Sequence, residues 1–400
     1  MEPANQLIGL GQALRQLLLA SYGLYPADLA AEVAAACRHL GGREVSLLLA
    51  DYDQVSLVGF EVGDERSSPI DGPGAGEAFR DEVVVVEARS GGRGLWVPVK
   101  DSAERLGVLG VVDDGSIDPD NWEAIASLVG ELIVSKTQYG DHITKRRRRT
   151  QFSLAAEMRW ALLPPLTFTS SDLTIAGFLQ PSHGVAGDAF DYSVTGRRAS
   201  VAIFDAMGHG LEASRMANVA LGSYRNSRRA GADVSTTLVT IDAAIASQFG
   251  ESRFVTAQVA TFDLDSGVLT MVNAGHPAPL RLRGDGAVDV VECPPTKPAG
   301  LGVEPTPTVL TLEQGDAILF LTDGIVEARS PAGEFFGDER LAALVADLIR
   351  RATRPAEVVR QALRSVLAHQ AGRSSDDATL LLLRWADGTT TITGRRATTR

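Results

Sequence analysis

The chain has 400 residues, 44% of them hydrophobic and 22% charged, with 38 Lys and Arg against 50 Asp and Glu for a formal net charge of −12. That length exceeds one compact core and predicts two domains, the apolar content excludes a disordered chain, and the acidic balance disfavours a surface built to neutralise nucleic-acid phosphates. The two cysteines, Cys37 and Cys293, form no CxxC pair, which excludes a disulfide framework or thiolate zinc site and fits a reducing, cytoplasmic setting. No charged-then-apolar leader and no long apolar run is visible, so neither a secretion signal nor a membrane span is expected.

In chain order, Leu7, Leu10, Leu14 and Leu17 fall on one stripe of a helix over residues 5–20. Residues 44–60 read as a hairpin turning at Asp51 to Gln54, followed by β-rich stretches at 83–86, 95–99 and 106–112. Helical spacing returns at Trp122, Ile125, Val129 and Leu132. The glycines of residues 72–80 follow no strand directly and read as a flexible loop rather than a dinucleotide fingerprint. Helix, antiparallel strands and helix over residues 1–140 resemble a GAF sensor domain, whose ligand the sequence does not name. Residues 141–165 predict a connecting helix ended by Pro164 and Pro165, with the basic run Lys145 to Arg149 as its solvated face. Residues 166–386 form a second domain of short strands and at least three helices, and 387–400 read as a disordered tail. The two helical stripes either pack on the sensor's own sheet or pair between subunits, giving a homodimer through the N-terminal and connecting helices.

A set of aspartates stands where strands meet turns. Asp188 and Asp191 lie in GVAGDAFDY, Asp205 ends the apolar stretch 201–204, Asp323 precedes Gly324 at the end of another, and Asp376 and Asp377 open a strand. Singly, each is ordinary turn chemistry. Brought together, carboxylates repel and are costly to desolvate unless a cation lies between them, and an oxygen-only donor set favours Mg²⁺ or Mn²⁺ over zinc.

Residues 150–385 resemble the SpoIIE/RsbU-type branch of the PP2C-like metal-dependent serine/threonine phosphatases. The resemblance is carried, in order, by ALLP at 161–164, GVAGDAFDY, FDAMGHG, NAGHPAPL at 273–280, FLTDGIVEA and SDDATLLLL. It implies an α+β chain whose second domain is an α/β/β/α sandwich. It also implies that Asp188, Asp205, Asp323 and Asp376 are catalytic metal ligands for two Mn²⁺ or Mg²⁺ ions, with Asp205 bridging and the Ala206 carbonyl assisting. Asp191 and Asp377 either support the ligands from behind or hold an accessory ion, and which of Asp376 and Asp377 faces the ions stays open. Ala186, Arg159 and Ala206 depart from the family's usual glycine, glutamine and glycine. His209 and His276 stay outside the catalytic set. The implied substrate is a phosphorylated anti-sigma-factor antagonist of the STAS type, with sensor control reaching the site through helices near 211–227 and 233–248. The alternative is a catalytically silent phosphoprotein-binding module. A kinase or P-loop ATPase is disfavoured because neither a GxxxxGK[ST] run nor a kinase catalytic loop occurs.

Overall fold

The computed structural model describes residues 3–89, 92–180, 187–250, 252–372, 376–386 and 398–399. The chain divides into two compact units, Met1–Gln151 with Thr393–Arg400, and Phe152–Ile392. Among the described residues no helix is long and apolar enough to cross a membrane.

The first unit contains α1 (Pro3–Ala20), α2 (Leu29–Cys37), β1 (Arg43–Ala50), β2 (Ser56–Gly59), β3 (Ser67–Pro69), α3 (Ala75–Asp81), β4 (Val85–Arg89), β5 (Gly92–Asp101), β6 (Glu104–Asp113), α4 (Pro119–Thr137) and α5 (His142–Arg147). Its strands run in the order β4-β5-β6-β1-β2-β3, with Thr398–Thr399 added in parallel beside β4. The rest of the expected tail lies outside the described residues. The β1–β2 hairpin forms as expected, and Asp51 closes its turn by accepting from the Val55 and Ser56 amides at 2.9 Å each. Side chains alternate along β1: Leu47 and Leu49 join the core under α1, α2 and α4, whereas Leu48 and Ala50 pack with Ala75, Ala78 and Phe79 of α3. Trp122, Ile125, Val129 and Leu132 bury their stripe in the first of these cores.

Three expectations change. On α1 the fully buried residues are Ala13 and Leu17, Leu10 and Leu14 are partly covered, and Leu7 is 68% exposed, so the leucine stripe is rotated away from the core at its start. The glycine-rich segment is a loop only as far as Gly74; α3 follows, anchored where Arg80 donates to the Ile70 and Gly72 carbonyls. The connecting segment is not one helix. It breaks after α5, because Arg148 is extended and Ser153 caps a new helix by accepting from the Ala156 amide. The middle of the basic run is docked while Lys145 and Arg149 stay exposed: Arg146 donates to the Gly59 and Asp64 carbonyls, and Arg147 donates to Ala50 and lies over the Tyr52 ring.

The second unit opens with α6 (Leu154–Trp160) and continues through β7 (Thr167–Thr169), β8 (Leu173–Gln180), β9 (Asp188–Thr195), β10 (Arg198–Ala206), α7 (Gly210–Arg229) and α8 (Val234–Phe249). Then come β11 (Val255–Asp263), β12 (Val268–Ala274), β13 (Leu280–Leu282), β14 (Val288–Val290), β15 (Thr308–Thr311), β16 (Ala317–Leu321), the single turn α9 (Asp323–Val326), α10 (Asp338–Arg350), α11 (Pro355–His369) and β17 (Ala378–Trp385). Two sheets result, β15-β12-β11-β10-β9 and β14-β13-β16-β17-β8-β7, and every pairing within them is antiparallel. Phe190, Val201, Ile203, Phe262 and Met271 of the first sheet share one core with Ile175, Phe320, Leu381 and Leu383 of the second. On the first sheet's outer face, Phe204, Ala202 and Val259 pack with Met216, Leu221, Leu238 and Ile241 of α7 and α8. Leu341, Val345, Val359 and Leu363 of α10 and α11 cover the second sheet. The arrangement is the expected helix, sheet, sheet, helix sandwich.

Candidate metal centre

The antiparallel ladders bring the acidic residues to one end of this sandwich. β9 begins at Asp188 and β10 ends beside Asp205, and the two are directly opposite in register. β16 ends just before Asp323 and β17 begins just after Asp377, paired Leu321 to Leu380. Thr322 and Thr379 stitch the sheets together: both hydroxyls donate to Asp188 Oδ2, at 2.8 and 2.6 Å, and the Thr379 amide donates to Thr322 Oγ1 at 3.0 Å.

Two glycines permit the close approach. A Cβ on Gly187 would lie 2.8 Å from the Ala206 carbonyl oxygen, and one on Gly324 would lie 1.8 Å from the Asp377 carbonyl oxygen. The first contact keeps the Asp188 turn against the Asp205 strand end, and the second seats the Asp323 turn on the Asp376–Asp377 segment. Residues 181–186, including Ala186, lie outside the described residues.

Electrostatics follow from this crowding. Burial pushes Asp188 well above the usual carboxylate range, with Asp205 and Asp377 adding repulsion. Asp205 is pushed up to about 7, first by burial and then by Asp323, Asp376 and Asp377, although a hydrogen bond with Asp188 opposes the rise. Asp323 is raised by burial and by Glu327; Asp376 is raised by burial and by Asp323 and Asp377. The donor set is hard oxygen throughout and suits Mg²⁺ or Mn²⁺. The carboxylates sense one another, yet among the described residues no three His, Cys, Asp or Glu side chains are arranged closely enough to hold an ion.

Asp191 stands apart from this group. It is three residues from Asp188 on an extended strand, so it faces the other side, where Arg225 grips both its oxygens at 3.0 Å and Arg228 reaches it at 3.2 Å. Asp377 is turned inward, its Oδ2 accepting from the Gly187 amide at 2.9 Å, the Asp188 amide at 3.4 Å and Arg159 Nη1 at 3.2 Å. Asp376 is the exposed member of that pair, its Oδ1 accepting the Asp377 amide at 2.9 Å. His209 is exposed at the N-cap of α7 and makes no capping hydrogen bond. His276 is buried, bonded to the Thr256 hydroxyl at 2.9 Å, and burial drives its pKa down to about 3. It is therefore neutral across the physiological range and cannot supply a proton there. Sequence reasoning missed Thr322 and Thr379, although a threonine adjoins both acidic motifs, in FLTDG and DDATL.

Residues 195–386 match the model of the Stage II sporulation protein E (SpoIIE) family. The chain is 23% identical to the phosphoserine phosphatase RsbU of Bacillus subtilis over 278 residues, covering 67% of this chain and 81% of that protein. It is 31% identical over 124 residues to the protein IcfG of Synechocystis, covering 30% of this chain and 19% of that one. A crystal structure of RsbU and RsbW domains from Mycobacterium tuberculosis is also similar, at 29% identity and a TM-score of 0.49, covering 54% of this chain and 60% of that one. The ordered motifs and the acidic end of the sandwich fall within or beside the matched segment, and residues 195–386 are those of a SpoIIE-type PP2C domain.

Proposed function

We propose that the second unit is a Mn²⁺- or Mg²⁺-dependent serine/threonine phosphatase acting on a phosphorylated anti-sigma-factor antagonist of the STAS type, in the cytoplasm and under control of a GAF-like first unit. The supporting observation is the convergence of Asp188, Asp205, Asp323 and Asp376 from four chain segments, each with a raised pKa. These residues, with the Ala206 carbonyl, would hold two ions. Divalent ions in such a site acidify a nucleophilic water and offset charge on the phosphoryl oxygens. The chain's own residues do the positioning: the Thr322 and Thr379 hydroxyls fix the Asp188 rotamer, and the β9–β10 ladder sets the spacing of Asp188 from Asp205.

The test is phosphate release from a phosphorylated STAS-domain protein. Turnover is expected with Mn²⁺ and is lost with EDTA or in Asp205→Asn; turnover that survives either treatment overturns the metal-dependent mechanism. A second reading, phosphoprotein binding without hydrolysis, is favoured by the absence of a closed three-ligand group among the described residues. Partner capture with no phosphate release at millimolar Mn²⁺ would establish it.

A further inference from the structure

Arg159, at a position where the sequence departs from its family, makes a buried ion pair across 218 residues of chain with Asp377, and the two side chains are 3% and 2% exposed. We infer that Arg159 is a positioning residue for the metal centre, acting through Asp377, and that Asp377 is a clamp on the ligand-bearing turns rather than a ligand. The inference rests on the metal reading above.

Asp377 touches the turns that deliver three of the four proposed ligands. Its Oδ2 accepts from the amides of Gly187 and Asp188, its carbonyl lies against Gly324 beside Asp323, and it is the chain neighbour of Asp376. An ionised carboxylate in that place, next to Asp188 and Asp205, needs a cation of its own, and Arg159 supplies it. α6 is held so that it can: Ser214 Oγ donates to the Ala155 carbonyl at 3.4 Å, and Arg225 Nη2 donates to the Leu162 carbonyl at 2.6 Å. Arg225 also grips Asp191 on β9, so the seat of α6 and the strand carrying Asp188 share one guanidinium.

Charge arithmetic and positioning predict opposite signs for the same substitution. Removing Arg159 deletes a positive charge near the ions, which by electrostatics alone tightens Mn²⁺ binding. If Arg159 instead holds the clamp, an unpaired Asp377 swings off the Gly187 and Asp188 amides and binding weakens.

The experiment is calorimetric titration of Mn²⁺ into the full-length, metal-free chain. R159M is expected to weaken Mn²⁺ binding by about 10- to 100-fold, the range found when a supporting partner of a metal ligand is lost. The double variant R159M/D377N restores charge balance and keeps an oxygen to accept the Gly187 amide, so its Kd should return to within about 3-fold of wild type. Unchanged or tighter binding in R159M, or a double variant as weak as the single one, overturns the inference. Should R159M fail to fold, R159K keeps the charge but loses the planar fork, and binding weakened several-fold is expected; an unchanged Kd there overturns it equally. A wild-type chain that takes up no Mn²⁺ removes the metal reading itself and the role of Arg159 with it.

Discussion

Each unit buries an aspartate almost completely, and their surroundings differ in kind. In the first unit Asp113, 0% exposed, accepts from Arg93 Nε at 2.9 Å and Nη2 at 3.0 Å, from Trp122 Nε1 at 3.0 Å and from the Gly115 amide at 2.7 Å. In the second unit Asp188, 2% exposed, has two neutral threonine hydroxyls and another carboxyl group. A guanidinium cancels the charge of Asp113, while hydroxyls only orient that of Asp188. The first arrangement is complete as folded; the second is short of positive charge, and the pKa rises at Asp188 and Asp205 express the deficit. A buried acid with its own cation belongs to the scaffold, and a group of them without one marks a place where a cation is to be bound.

The same substitution in the two units should therefore act in opposite ways. Asp188→Asn is expected to reduce Mn²⁺-dependent phosphate release by more than about 100-fold, while the metal-free chain melts at the wild-type temperature or above it because a repulsive charge has gone. Asp113→Asn should leave Mn²⁺ affinity intact and destabilise the first unit by about 3–5 kcal/mol, since Arg93 is left without its buried counter-ion. Denaturant unfolding and Mn²⁺ titration of both variants check the pair. A destabilised Asp188→Asn chain or an unaffected Asp113→Asn chain would erase the distinction.

How much of this could be read in the sequence depends on the range of the interaction. Asp188, Asp205, Asp323 and Asp376 were recognisable because each lies where an apolar stretch meets a turn, a local signal repeated in a known order. The role of Asp191 stayed open because three residues along an extended strand reverses the face, and that follows only once the strand is known to start at Asp188. The break between α5 and α6 was hidden because arginines favour helices, whereas Arg146 and Arg147 are drawn to carbonyls at the end of β1 and beyond β2, far away in sequence. The Arg159–Asp377 pair leaves no local trace. Leu7 had the right period and the wrong phase, because periodicity defines a stripe but not which side of it the rest of the unit covers.

The charge deficit also gives Mn²⁺ binding a pH dependence. Asp205 titrates near 7 when folded and near 3.8 when unfolded, so its contribution favours the folded metal-free chain at low pH and is lost as pH rises toward 7. Mn²⁺ competes with that proton. Apparent affinity should rise about 50-fold from pH 5 to pH 7, equivalent to about 2 kcal/mol of added ligand stabilisation, and then level off. Thermal melts with and without Mn²⁺ across this range measure it. A Mn²⁺-induced shift independent of pH would mean that the second unit's carboxylates carry no excess proton, and the charge deficit would be gone.

His276 contributes with the opposite sign, which separates the two effects. Its folded pKa of about 3 lies below the ordinary 6.5, so it stabilises the fold when neutral. That contribution is complete above 6.5 and is lost as pH falls, because the unfolded chain takes up the proton first. At pH 5 the loss is about 2 kcal/mol. His276→Gln keeps a polar group near the Thr256 hydroxyl, which pairs across the ladder with Asp205, and removes the titration. The metal-free variant should therefore resist acid better than wild type between pH 4 and 6, with the Mn²⁺-induced shift still rising with pH. If the acid side is unchanged while the Mn²⁺ dependence flattens, His276 exchanges protons with the carboxylates, and the assignment of the pH response to Asp205 fails.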